Sequence, residues 1–400
     1  IISLNEQYIA TFTPKENEKL LLSDKFPLEL VRCNVEKNGC GLVQLLHSIP
    51  KDFLYKRYFY RSGINQTMND NLSEIVKEAI SKVELNKKDL VLDIGCNDGT
   101  LLQNYQNMDV QLVGFDPAEN MAQFSKKTGA QIIVNYFNEN SFKKEFSNQK
   151  AKIITSIAMF YDLDDPNIFV KDISKILDSE GIWIIELSYL PLMIKQNAFD
   201  TIVHEHLEYY HLKVLERLFS KYGLKVVDIF LNEVNGGSIR LFIKHNNQKI
   251  SDEASHRIKK IQDDEDKLGL DTEKPYIEFY NRCEELKEKT VSFIKNEQKK
   301  GKKIFAYGAS TKGNTLLQFY GLDNKQIEKV ADRNSDKWGR KTVGTEIQII
   351  SEEEARKSKP DYFLILPWHF LNEFIDREKE FLKNGGQFIV PLPQFRIIKK

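Results

Sequence analysis

The chain has 400 residues, with 58 Lys and Arg against 58 Asp and Glu, 41% hydrophobic and 11% aromatic side chains. At about 150 residues per domain this predicts two or three domains, each able to bury a core, and the composition excludes wholesale disorder. A formal net charge of zero leaves no basic field for a phosphate polymer, so no nucleic-acid partner is expected. No run approaches about 18 consecutive apolar residues, so no membrane span is expected. Four cysteines are too few for a disulfide scaffold and point to the cytoplasm. The chain opens Ile1-Ile2 without a basic-then-apolar leader, which reads as a processed or trimmed start.

Taken in order, residues 1–70 form a mixed N-terminal domain ending near the aromatic stretch Tyr55-Lys-Arg-Tyr58-Phe-Tyr60-Arg-Ser-Gly63. Residues 71–245 alternate short apolar runs with polar stretches of helical length. The runs are Leu90–Asp93, Val110–Asp116, Ile153–Ile157 and Ile182–Glu186. That alternation predicts an α/β domain with a parallel, doubly wound sheet. Residues 246–302 are strongly charged, and Tyr276, Tyr280, Cys283, Leu286 and Phe293 recur at roughly helical spacing, as in a helical connector with one narrow packed face. From 303 to 400 the α/β pattern restarts, with strands expected at Lys303–Tyr307, Glu328–Ala331, Tyr362–Leu366 and Gln387–Val390. These predict a second, smaller Rossmann-like domain.

Three segments carry chemistry. In Val91-Leu-Asp93-Ile-Gly95-Cys-Asn97-Asp98-Gly99-Thr100 a strand ends in an acid and a glycine turn leads into a helix. Glycines let backbone approach a ligand, and the helix start offers free N–H groups. The Gly95-x-x-x-Gly99 spacing is not the dinucleotide G-x-G-x-x-G. It resembles the acidic loop of class I S-adenosylmethionine-dependent methyltransferases, in which the acid faces the methionine ammonium. Asp116, with Pro117 after it, ends the next strand, where an acid can take both ribose hydroxyls. The second segment is His204-Glu205-His206-Leu-Glu208-Tyr209-Tyr210-His211, with three of the seven histidines in eight residues. A histidine base, a carboxylate holding its tautomer and a phenol for an oxyanion suit proton abstraction beside a carbonyl. The zinc-protease spacing fails, because Glu208 stands where a histidine is needed. The third is Gly308-x-x-x-Lys312-Gly313-Asn314. Asn314 occupies the lysine position of a Walker loop, so an NTPase is not expected. The loop and Lys312 still suit a diphosphate, Asp332 a ribose, and Trp368 with His369 stacking.

Together these stretches, with Cys40-Gly-Leu-Val-Gln44, Asn235-Gly-Gly-Ser238 and Pro391-Leu-Pro393, resemble the sugar C-methyltransferase family across residues 28–393. The resemblance implies a zinc-binding N-terminal region, a methyltransferase domain and a C-terminal Rossmann-like domain helping to hold a nucleotide-linked 4-keto-deoxysugar. It makes His206 the base with Glu205 supporting it, and His204 and Tyr209 their companions. It puts Tyr58 and Tyr60 at the donor and sugar pocket, and Tyr161 and Asn235 at the acceptor. Cys33 and Cys40 would be the second of two zinc cysteine pairs, with the first before Ile1 and a wider spacing than in relatives, so the site is incomplete. Two departures fall near the acceptor: Val203 where some relatives have tyrosine, and Met159-Phe-Tyr161-Asp162 where they tend to have a histidine. The expected activity is methylation of carbon through an enolate. The alternatives are an O- or N-methyltransferase, a nicotinamide enzyme and a non-catalytic binding protein. Monomer and homodimer are both left open.

Overall fold

The computed structural model describes residues 1–13, 24–55 and 60–399. At the N-terminal end β1 (Ile2–Tyr8), β2 (Lys25–Arg32) and β3 (Val43–Leu45) pair antiparallel. Leu4, Leu28, Leu30 and Val43 are buried on their one covered face, the alternation of a sheet packed on a single side.

The central sheet follows. β4 (Leu90–Ile94), β5 (Gln111–Phe115), β6 (Gln131–Ile133), β7 (Ala151–Ile157) and β8 (Leu177–Ser188) run parallel. β9 (Glu208–Tyr209) then leaves this sheet and becomes the fourth strand of the N-terminal one, with Val43 opposite Tyr209. β10 (Leu224–Asn232) and β11 (Ser238–His245) return as a hairpin, with β11 between β10 and β8 and antiparallel to both. The order is β10-β11-β8-β7-β4-β5-β6. Neighbours Val91 and Leu92, Ile153 and Ile154, and Ile184 and Ile185 are all buried. Helices cover both faces, so the strands read as continuous apolar runs rather than alternating ones. The helix Gln66–Lys82, on one of those faces, crosses the boundary expected at residue 70.

The charged stretch forms two helices, Asp252–Leu268 and Lys274–Lys299. The longer buries Tyr276, Phe279, Cys283, Leu286 and Ile294, a stripe at helical spacing facing the C-terminal core. In that core β12 (Ile304–Tyr307), β13 (Lys329–Asp332), β14 (Gln348–Ser351), β15 (Tyr362–Ile365) and β16 (Gln387–Val390) are parallel, with β17 (Arg396–Ile398) antiparallel at one edge. Among the described residues no helix is long and apolar enough to cross a membrane.

The two larger sheets share one device. Strand order reverses beside β4, which lies between β5 and β7, and beside β12, which lies between β13 and β15. Such switch points open a crevice at the carboxyl ends of the strands, where ligands bind. Both crevices open onto the same cavity.

Candidate active site

The cavity holds about 260 Å³. Asp93, Gly95, Cys96, Asn97 and Thr100 line one wall, Ile157–Met159 and Tyr161 the next, and Lys312 and His369 the wall supplied by the C-terminal domain. Asp93 is the penultimate residue of β4 and is 3% exposed. Burial raises its carboxyl to about 7, opposed by the Thr155 hydroxyl, which donates to Oδ1 at 2.6 Å. The turn after it needs Gly95 at φ +75° and Gly99 at φ +81°, and a Cβ on Gly99 would meet Thr128 Cγ2 at 2.6 Å.

Asp116 follows β5 and fixes this loop: Asn97 N donates to Oδ2 at 2.8 Å and Ala118 N to Oδ1 at 2.8 Å. A carboxylate has about four acceptor positions, so two backbone bonds leave room for ribose hydroxyls. Asp116 and Pro117 line a second cavity of about 460 Å³, together with Phe137, Asn138 and Leu163. It shares Tyr55, Met159 and Asp162 with the first. A donor with its methionine end at Asp93 and its ribose at Asp116 would thus span the two. The sequence reading missed this apolar half: Phe137 follows the short β6 and sits in no motif.

Asn97 lines the cavity, and Asn97 and Asp98 also hold residues 60–63. Asn97 Nδ2 donates to the Tyr60 carbonyl at 3.1 Å, and Ser62 N donates to Asn97 Oδ1 at 3.1 Å. Asp98 accepts from Gly63 N at 2.9 Å and Thr100 Oγ1 at 2.6 Å. Asp98 is absent from the cavity wall, with Oδ2 held by Gly63 and Oδ1 by Thr100. Tyr60 does line the cavity. Tyr58 lies outside the described residues.

The histidine cluster is held between two sheets. Leu45 N donates to the Leu207 carbonyl at 2.8 Å, and β9 pairs with β3. Only Glu205 and His206 of the cluster reach the cavity, beside Val203 and Tyr161. His206 Nδ1 lies 2.8 Å from the Thr201 carbonyl. A carbonyl only accepts, so Nδ1 carries the proton and Nε2 keeps a lone pair. Its tautomer is therefore set by backbone and not by Glu205. Burial, and then Lys312, lower His206 to about 3, so the ring is neutral. Burial raises Glu205 to about 8, a neutral acid at pH 7.

His204 and Tyr209 are corrections. His204 Nε2 meets the Phe26 carbonyl at 3.3 Å, with its ring edge-on to Phe26. The Tyr209 hydroxyl makes a long 3.5 Å contact to the Thr201 carbonyl, and the ring belongs to the N-terminal core. Tyr209 is committed by its place in β9, whereas His204 lies in the turn before that strand. Neither residue lines the cavity.

On the C-terminal side, Ser310 caps the helix Thr311–Tyr320, accepting from Gly313 N. Lys312 in its first turn donates to the Asn235 carbonyl at 2.7 Å. Asn235 lines the cavity from the β10–β11 turn. Among the described residues no carboxylate stands within ion-pair distance of Lys312, though Asp200 favours its charge and burial opposes it. His369 is held well below the usual imidazole range by burial and by Lys312. Trp368 is not available for stacking: its Nε1 donates to buried Asp200 Oδ2 at 3.0 Å, and its ring packs under Gly236. Asn314 is 1% exposed and donates to the Thr11 carbonyl, so it too leaves the cavity. Asp332 lines a neighbouring crevice of about 140 Å³ with Arg333 and Lys337. There it repeats the Asp116 device, accepting from Ala309 N and Asn334 N, each at 2.8 Å, and it pairs with Lys337 at 3.3 Å.

Cys40 N donates to Cys33 Sγ at 3.2 Å, which lowers the Cys33 thiol. Two thiols are half of a tetrahedral zinc set. Among the described residues no group of three or more His, Cys, Asp and Glu is placed to hold a metal. The residues present do not fit the ion.

The central sheet, its acidic glycine turn and the acid after β5 define a class I S-adenosylmethionine-dependent methyltransferase. Residues 60–229 match the methyltransferase domain family, and residues 233–393 match the C-methyltransferase C-terminal domain family. The chain is 33% identical over 374 residues to C-methyltransferase NovU of Streptomyces niveus, covering 93% of this chain and 88% of that one. It is 24% identical over 162 residues to a ubiquinone biosynthesis O-methyltransferase of Bartonella quintana, covering 36% of this chain and 65% of that one. A solved S-adenosylmethionine-dependent methyltransferase from Clostridium acetobutylicum aligns with 45% of this chain and 92% of that one, at 14% identity and a TM-score of 0.36, which adds nothing to the assignment. The chain belongs to the C-methyltransferase family of S-adenosylmethionine-dependent enzymes.

Proposed function

We propose that the enzyme methylates the carbon beside the ketone of a nucleotide-linked keto-deoxysugar, with His206 as the base. One observation carries the reading: a neutral imidazole, its proton held on Nδ1 by Thr201, lines a cavity between the donor loop and the C-terminal domain. S-adenosylmethionine supplies an electrophilic methyl group. Asp93 would face its ammonium, Asp116 its ribose, and Pro117 and Phe137 its adenine.

His206 Nε2 takes the proton from the acceptor carbon, the C–H electron pair becomes the C=C bond, and the carbonyl π pair moves onto oxygen. The oxygen pair would then re-form the carbonyl as the C=C pair makes the new bond to the methyl carbon, leaving the carbon–sulfur pair on sulfur. Holding both reactants across the joined cavities contributes much of the acceleration. Glu205, protonated at neutral pH, offers an O–H donor to the acceptor, and Tyr161, whose ring lies 4.4 Å from that of His206, keeps the imidazole in place. The diphosphate suits the crevice of Asp332, where Arg333 and Lys337 supply positive charge. The division into residues 1–70, 71–245, 246–302 and 303–400 is part of the same proposal.

Nucleotide 4-keto-6-deoxysugars, generated in situ and incubated with enzyme and S-adenosylmethionine, test this by mass spectrometry. One added methyl on the sugar fragment is expected. No gain on any sugar, with donor binding confirmed in the same sample, would reject the substrate class.

A further inference from the structure

His206 at about 3 is a weak base for a carbon acid, because a general base works best with its pKa near the operating pH. Proton abstraction therefore depends on stabilising the oxygen that receives the charge. The phenol expected there, Tyr209, does not reach the cavity, whose tyrosines among the described residues are Tyr55, Tyr60 and Tyr161. Tyr209 has its hydroxyl on the Thr201 carbonyl, Tyr210 is 1% exposed in the central core, and neither lines the cavity.

Lys312 is the one Lys or Arg among the described residues lining that cavity. A lysine ammonium has three donors, and its bond to the Asn235 carbonyl uses one. It lines the same cavity as His206 and His369, and its charge lowers both imidazoles. The support behind it is fixed. Asp200 is fully buried, with Oδ2 held by Trp368 Nε1 and Oδ1 without a partner. The Asn235 turn is pinned on Trp368, since a Cβ on Gly236 would meet the indole at 3.2 Å. Among the described residues this cation has no ion pair, and it lines the same cavity as His206.

Resting on the enolate reading above, we infer that Lys312 is a catalytic residue whose ammonium holds the developing enolate oxygen. The C-terminal domain then takes part in the proton transfer, beyond holding the nucleotide. The charge is spent on the transition state rather than on the diphosphate, which has Arg333 and Lys337 in the adjoining crevice.

Lys312→Met keeps most of the unbranched apolar stem and removes the charge. In the full-length enzyme with a sugar that the wild type methylates, kcat is expected to fall by about 10²–10³-fold, the size of losing one oxyanion donor. KM should stay within about threefold. Solvent deuterium exchange at the acceptor carbon, followed with S-adenosylhomocysteine bound, should fall with kcat. Binding of S-adenosylhomocysteine should be unchanged, which also reports a folded protein. Lys312→Gln, which retains a donor for Asn235, replaces Lys312→Met if that variant does not bind S-adenosylhomocysteine. Unchanged kcat and exchange, or a loss confined to KM, would overturn the role of Lys312 and leave the enolate reading standing. Absence of exchange in the wild type would overturn both.

Discussion

The Thr155 hydroxyl is the one side-chain group that favours ionised Asp93, against burial and Asp116. The account has Asp93 bind the donor's ammonium as a carboxylate, so affinity should rise with pH through its value of about 7. The ionised fraction is about 3% at pH 5.5 and about 75% at pH 7.5, so binding should tighten by about 25-fold across that window. The ligand's amino group stays largely protonated there, its own pKa being about 8. Thr155→Val keeps the shape of the side chain and removes the 2.6 Å hydrogen bond. A bond to a charged acceptor contributes about 1.5 kcal/mol, or about one pKa unit, which would carry Asp93 to roughly 8. The variant should then bind about 10-fold more weakly than wild type at pH 5.5 and about 3-fold more weakly at pH 7.5. Calorimetric titration with S-adenosylhomocysteine from pH 5.5 to 7.5 measures both curves. A flat wild-type curve, or curves that coincide, would refute the role given to Asp93.

Glu208 is buried outside the cavity and raised to about 9 from 4.5. The unfolded chain releases this proton near 4.5 and the folded chain near 9, so stability falls as pH rises between them. Glu208→Gln cannot ionise, so its stability relative to wild type should improve from pH 5 to pH 9 by on the order of a few kcal/mol, read from urea unfolding at each pH. Arg240 is 3% exposed and donates to Glu186 at 2.8 Å, Glu78 at 2.6 Å and Asn71 at 2.7 Å. Arg240→Met would leave Glu186 buried without a cation and should cost about 3–5 kcal/mol in denaturant unfolding, whereas an unchanged midpoint would contradict that network.

What the sequence revealed was mostly local. Leu90–Asp93 and Tyr362–Leu366 are short apolar runs ending at glycine or proline turns, and the structure has strands at Leu90–Ile94 and Tyr362–Ile365. A strand buried on both faces needs little else to be recognised. The helix behind Tyr276, Cys283 and Leu286 was legible because one narrow apolar stripe stands out in a charged segment. The histidine cluster was legible as a cluster but not in its orientation. β9 pairs with β3, about 165 residues earlier in the chain, and that long-range pairing takes Tyr209 out of the cavity, while His204 is turned to the Phe26 carbonyl and His206 to that of Thr201. Asn314 and Trp368 were misplaced for a similar reason: their partners, Thr11 and Asp200, lie in other parts of the chain. The convergence of two switch points on one cavity also appears only when the sheets are assembled.

The central claim is that His206 removes a proton from carbon. Its direct test is proton exchange at the acceptor carbon in deuterium oxide, by NMR, with S-adenosylhomocysteine bound so that no methyl transfer follows. Wild type should exchange that one hydrogen. His206→Ala should not, while binding S-adenosylhomocysteine as tightly as wild type does. Exchange that persists in His206→Ala would remove His206 from the role of base.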